Sequence, residues 1–103
     1  MRVIPLRPVP NQTLTTLLDL QQCQINVYQK RNGMYLDLYM DNSLVIGGVI
    51  CENLNRIVRS IYLGFSGDLA FTDNQGETDP VYTGLGTRYS LLYLTAADLL
   101  GEG

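Results

Sequence analysis

The chain has no histidine, no tryptophan, only two cysteines and few charges for its 103 residues. Without histidine, the commonest general base and metal ligand are gone. Cys23 and Cys51 offer no metal-ligand spacing. Each sits among apolar neighbours on a strand pattern and reads as a buried free thiol; a disulfide would need strands that set the two opposite each other. Charged residues make up 17%, against ~25% in ordinary soluble domains. The seven Lys and Arg are scattered, with only Lys30 and Arg31 adjacent, and the net charge is -3. The clustered positive face that a phosphate backbone requires is therefore missing, which argues against a nucleic-acid partner. The opening M-R-V-I-P-L-R-P-V-P lacks a long apolar run, so it reads as neither a secretory leader nor a membrane span. The expectation is a chain that folds in the cytosol where it is made, with no membrane partner.

Asn, Gln, Thr, Ser and Gly fill the place of the absent charges. A surface so poor in repelling charge suits a subunit packed among others; it equally describes a monomer with a polar, uncharged coat. The length allows one domain with a modest core, and a hydrophobic share of 46% is that of a globular chain. There is no internal repeat and no linker.

Residues 1–12 hold Pro5, Pro8 and Pro10 and read as an extended arm. Its apolar residues Val3, Ile4, Leu6 and Val9 imply that it lies along its own domain or a neighbour. Residues 13–19 fit either a helix (Leu14, Leu17, Leu18) or a strand (Leu14, Thr16, Leu18); the threonines and the missing capping box favour the strand, with a turn near 19–22. Cys23, Ile25 and Val27 alternate with polar residues in a half-buried strand. Asn32 and Gly33 predict a tight hairpin turn. Tyr35, Asp37 and Tyr39 then alternate with Leu36, Leu38 and Met40, and Asp41-Asn42-Ser43 makes the next turn. The run L-V-I-G-G-V-I-C at 44–51 reads as a strand covered on both faces, with a bulge or bend at Gly47 and Gly48. Cover on its outer face could come from a partner.

Residues 52–61 suggest a loop or one helical turn feeding a β-rich segment at 57–65. Residues 68–72 alternate as a strand, Asp73-Asn74-Gln75-Gly76 is a turn, and 87–95 form the last strand. The expected organisation is an arm at 1–12, a β domain at 13–95 and a fraying tail at 96–103. About seven short strands at near-regular spacing predict an all-β, single-domain antiparallel barrel or sandwich.

No catalytic constellation stands out. Asp73, Gln75, Glu77 and Asp79 place oxygens at alternating positions, as a calcium loop does, but lack the distal Glu and the glycine position of an EF-hand; a solvated turn is the preferred reading. Asp37 with Asp68 or Glu52 has no spacing that favours glycosidase chemistry. Gly84-Leu85-Gly86 lacks the Lys and Ser/Thr of a phosphate loop. The seven tyrosines carry more information, because tyrosine buries area at interfaces while keeping a polar tip. Candidate interface residues are Val3, Ile4 and Leu6 of the arm, Tyr35 and Tyr39, Val45 of the apolar strand, and Tyr82, Leu85 and Tyr89 in the loop region. Arg88 is expected to pin that loop by pairing with Asp79.

Residues 62–94 anchor a resemblance. The ordered pieces Y-L-G-F-S-G-D-L, D-P-V-Y-T-G-L-G and R-Y-S-L-L-Y-L, with I-P-L-R-P-V-P-N-Q-T, Y-L-D-L-Y-M and G-V-I-C-E-N before them, resemble the small baseplate plug proteins of contractile-tailed bacteriophages. The sequence departs from that pattern mainly at 14–22, where Leu20 stands in the expected turn. The resemblance implies a virion structural protein that plugs or completes the central tube-hub-spike region of the tail baseplate. It implies assembly in the bacterial host cytoplasm, contact with hub, spike and tail tube proteins, threefold or sixfold self-association, no cofactor and no enzymatic activity. The competing reading is a small binding module that takes a glycan or host protein through the Tyr/Gly-rich loop 76–89, with Tyr82 or Tyr89 stacking on sugar rings.

Overall fold

The computed structural model describes residues 2–59 and 65–101, with side chains to residue 98. Among these residues are seven strands in two antiparallel sheets. The strands are β1 (Arg2–Ile4), β2 (Asn11–Leu18), β3 (Gln21–Lys30), β4 (Gly33–Met40), β5 (Ser43–Ile50), β6 (Asp68–Asp73) and β7 (Tyr89–Leu94). The larger sheet is the meander β2-β3-β4-β5; the smaller has the order β1-β7-β6. The two sheets are separate ladders that share one core, so the architecture is a sandwich and not a closed barrel.

Two-residue turns join the meander. Asp19 (φ 49) and Leu20 (φ 64) make the first, and Asp41 (φ 50) and Asn42 (φ 68) the third. Both have positive φ throughout, the geometry that matches strand twist. The middle turn sits one residue earlier than its Asn-Gly dipeptide predicts: Arg31 and Asn32 form it, and Gly33 (φ 145) already pairs with Lys30. Alternation then sets the faces. Cys23, Ile25 and Val27 of β3 and Met34, Leu36 and Leu38 of β4 point inward and are fully buried.

The arm belongs to the fold. β1 pairs with β7 (Ile4 opposite Leu91), and Ile4 and Leu6 enter the core. The Gln12 amide then clamps the arm by bonding both Arg7 backbone groups. β2 accordingly begins at Asn11, inside the stretch expected to be arm. Residues 52–59 form neither helix nor strand; they lie along the edge of β6 through bridges from Asn53 to Phe71 and Arg56 to Ala70. The β-rich reading of 57–65 falls partly outside the described residues. After β7 the chain enters a short helix, α1 (Ala96–Gly101), capped reciprocally by Thr95 and Asp98.

The residues that carry the family resemblance are architectural. Asp68 is buried and its carboxylate accepts N–H bonds from Ile57, Val58, Arg59 and Leu69, at 2.6–3.1 Å. Gly67 (φ 95) lies so close to Leu94 that a Cβ would strike its carbonyl, and Gly86 (φ 84) stands likewise against the Leu6 carbonyl. Ser66 exchanges backbone bonds with the Gln21 amide, tying the small sheet to β3. No helix among the described residues is long and apolar enough to cross a membrane.

Candidate interaction surface

The outer face of the four-stranded sheet is ordered into three rows. The middle row is polar and crosses every strand. The Thr13 hydroxyl donates to the Asn26 side-chain Oδ1 (3.0 Å), the Asn26 side-chain amide donates to Asp37 (3.4 Å), and Asp37 accepts the Gly48 N–H (2.7 Å) and the Tyr28 hydroxyl (2.9 Å). Burial tends to raise the Asp37 pKa. The Gly48, Tyr28 and Asn26 hydrogen bonds and nearby Lys30 outweigh it, and the carboxyl sits below its ordinary range. This row also explains a backbone irregularity: Asp37 faces Gly47 and Gly48 together, a β-bulge in which the Gly48 N–H turns to the carboxylate on the outer face.

On either side lies an aromatic and aliphatic row. Tyr28, Tyr35 and Ile50 are cross-strand neighbours. The two rings stack with centroids 6.0 Å apart, and the Lys30 ammonium lies over both, at 5.5 and 5.3 Å. Gln24, Tyr39 and Leu44 make the other row. Ile50 (40% exposed) and Leu44 (57%) end these rows at the sheet's edge. The run at 44–51 is thus covered on one face only within this chain. Val45, Ile46 and Val49 pack on the core, while Leu44 and Ile50 look out beside tyrosines.

The loop between β6 and β7 is held from within. Asp73 takes a two-pronged pair from Arg88 (both 2.8 Å) and also accepts from Gln75 N–H, Thr78 N–H and Thr78 hydroxyl. The Arg88 guanidinium holds the Asp73 carboxyl well below the usual range. Asp73, not Asp79, is therefore the partner of Arg88; Asp79 accepts the Asn53 N–H (3.0 Å). A cation in this loop would have to displace a guanidinium. Among the described residues no three His, Cys, Asp or Glu side chains converge on a metal position. Cys23 and Cys51 are free and buried, and burial raises both thiols, Cys51 to about 12.

The expected interface residues divide by burial. Ile4, Leu6, Leu85 and Tyr89 lie in the chain's own core and present no surface in this fold. Leu85 turns inward from the 3-10 turn Tyr82–Gly84, and Tyr89 packs between Gly84 and Arg88 with its hydroxyl on Thr78. Val3 is exposed at 58%. Tyr35, Tyr39, Val45 and Tyr82 are half-buried. The structure brings Tyr35 and Tyr39 onto one face, with Val45 on the adjoining strand. Leu44, Ile50, Leu17 and Leu54 are exposed aliphatics that sequence reasoning passed over. For the first two, the signal is parity: counted back through the turn at 41–42, Leu44 falls opposite Tyr39.

A pocket of about 630 Å³ lies on the outer side of the smaller sheet, with Leu54, Ala70, Leu92 and Leu94 forming its apolar lining and Arg56 and Arg59 at its rim. The Arg59 side chain is itself bonded to the Arg56 carbonyl.

No match was found among curated proteins. The sequence matches, along residues 1–96, the family described as cyanophage baseplate Pam3 plug gp18. That span takes in the arm, both sheets and the motif residues that shape the loop, and the chain belongs to this cyanophage baseplate plug family.

Proposed function

We propose that the protein is a structural component of a contractile phage tail baseplate, where it plugs or completes the central region formed by tube, hub and spike. Family membership along residues 1–96 carries the reading. The outer face of the meander supports it, since Tyr35, Tyr39, Leu44 and Ile50 give a broad, weakly charged surface of the composition found at interface centres. Function on this reading is shape complementarity: hub, spike and tube proteins as neighbours, copies arranged with threefold or sixfold symmetry, and assembly in the host cytoplasm before incorporation into the tail. The carbohydrate reading of loop 76–89 loses one of its two stacking residues, because Tyr89 is buried.

The test is mass measurement of the purified chain, alone and mixed with the neighbouring hub protein. A stable complex is expected, weakened by Tyr39→Lys. A chain that ignores hub, spike and tube proteins at micromolar concentration overturns the proposal.

A further inference from the structure

The sandwich has four sheet edges, and three are protected. β6 is covered by residues 53–57. β2 is flanked by the arm, through the Gln12 clamp on Arg7 and the Arg2 bond to the Leu17 carbonyl. β1 is only three residues long. β5 differs: it has eight residues, no charge and no proline, and its outer edge has no partner strand among the described residues. Natural edges of that length carry charges, prolines or covers against pairing.

The sequence of β5 names the occupant. Residues 44–50 read L-V-I-G-G-V-I, close to a palindrome. When two copies of one strand meet antiparallel across a two-fold axis, each residue faces its mirror position, so a near-palindrome sets like side chains opposite each other. With Gly47 on the axis, Leu44 of one copy faces Ile50 of the other, and Val45 faces Val49. The exposed aliphatics then meet on the outer face, where each ends an aromatic row, so both rows continue into the second copy. The absence of charge means that self-pairing brings no like charges together. Two glycines occupy the crossing point, and a Cβ at Gly48 would meet nothing within 4 Å. The bulges confine ladder bonds to short stretches on either side of the crossing, leaving the aliphatic contacts to set the register.

We infer that β5 is a self-association edge, pairing antiparallel with β5 of a second copy about Gly47. This two-fold contact belongs to the free chain and is separate from the threefold or sixfold arrangement proposed for the baseplate. It requires no hub, spike or tube protein, so it is tested on the isolated chain, and its failure leaves the baseplate reading standing.

Two measurements decide it. Sedimentation velocity from micromolar to near-millimolar concentration is expected to show a monomer–dimer equilibrium. The double variant L44K/I50K, which sets lysines opposite each other across the axis, should weaken it by about tenfold or more. Both positions are exposed, so folding is preserved. Register is read by oxidising a mixture of L44C and I50C proteins; the native thiols are buried and stay out of the reaction. A covalent dimer with one chain of each kind is expected, with little from either variant alone. A chain that remains monomeric throughout, a dimer indifferent to L44K/I50K, or equal cross-linking in all three samples overturns the inference.

Discussion

Replacing Asp68 by Asn tests the account of how the loop at 52–59 is held. The carboxylate is 2% exposed. Its Oδ1 accepts the N–H groups of Ile57, Val58 and Leu69, and its Oδ2 accepts that of Arg59. Asn keeps the shape but supplies one oxygen. Three bonds become neutral, each losing about 1 kcal/mol of the difference between charged and neutral acceptors. The fourth N–H meets an NH2 group, donor against donor, at a further cost of about 1–3 kcal/mol. Relief from burying a charge offsets part of this, leaving a net loss of about 3 kcal/mol. A domain of this size has roughly 5–15 kcal/mol in all, so the variant should fold with its melting temperature lowered by about 15 °C. Urea unfolding should show a lower midpoint at unchanged slope, and the amides of Ile57, Val58 and Arg59 should exchange faster than those of β3. A loss below about 1 kcal/mol, with those amides as protected as before, would refute the reasoning.

Other expectations follow from particular contacts. Leu20→Gly should stabilise the fold by about 0.5–1 kcal/mol, since relief of a left-handed leucine outweighs glycine's entropy and Leu20 is 90% exposed, so no packing is lost; a lower urea midpoint would contradict it. Arg88→Lys cannot reproduce the two-pronged pair with Asp73; faster exchange of the Gln75 and Thr78 amides is expected, with β3 unchanged, and unaltered exchange would count against the role given to that pair. Burial, with Asp19 nearby, raises the Tyr93 phenol to about 12, and burial raises the Cys51 thiol to about 12. Both lie above unfolded values of about 10 and about 8.5. Their contribution is complete below pH ~8.5 and is lost as pH rises towards 12, so melting temperature should fall above about pH 9; a flat profile to pH 11.5 would exclude it. Asp37 and Asp73 are lowered instead, and their contribution should be lost as pH falls below about 4.

The meander was largely legible because one side of it is buried. Alternation at Cys23, Ile25, Val27 and at Leu36, Leu38 records which residues face the core. Gly47 and Gly48 signalled the bulge because it needs a positive φ, which Gly48 takes (φ 63) without the strain of a side chain. β1 was not legible as a strand: three residues before a proline carry no periodicity, and their partner is at the far end of the chain. The apolar run at 44–51 read as doubly covered because local sequence cannot distinguish a strand covered on both faces from one with apolar residues on an open face. Spacing at Leu54, Ile57 and Val58 suggested a helix, but Asp68 captures the N–H groups that a helix would have used. In the candidate surface, alternation sets Tyr35 and Tyr39 on one face. Leu85 and Tyr89 are buried where flanking glycines let that loop curl inward, which local sequence does not show. The tail from residue 96 read as fraying, because a helix this short leaves little pattern; the Thr95–Asp98 cap starts it.

The pairing of β1 with β7 joins nearly the first residues of the chain to nearly the last. The meander can form as soon as β5 leaves the ribosome, since its contacts are local. The smaller sheet must wait until β7 has been synthesised. In that interval the four-stranded sheet displays Ile25, Val27, Leu36 and Leu38 on an uncovered face. Nascent chains are most prone to clump while residues 51–94 are being made, when that apolar face has no cover.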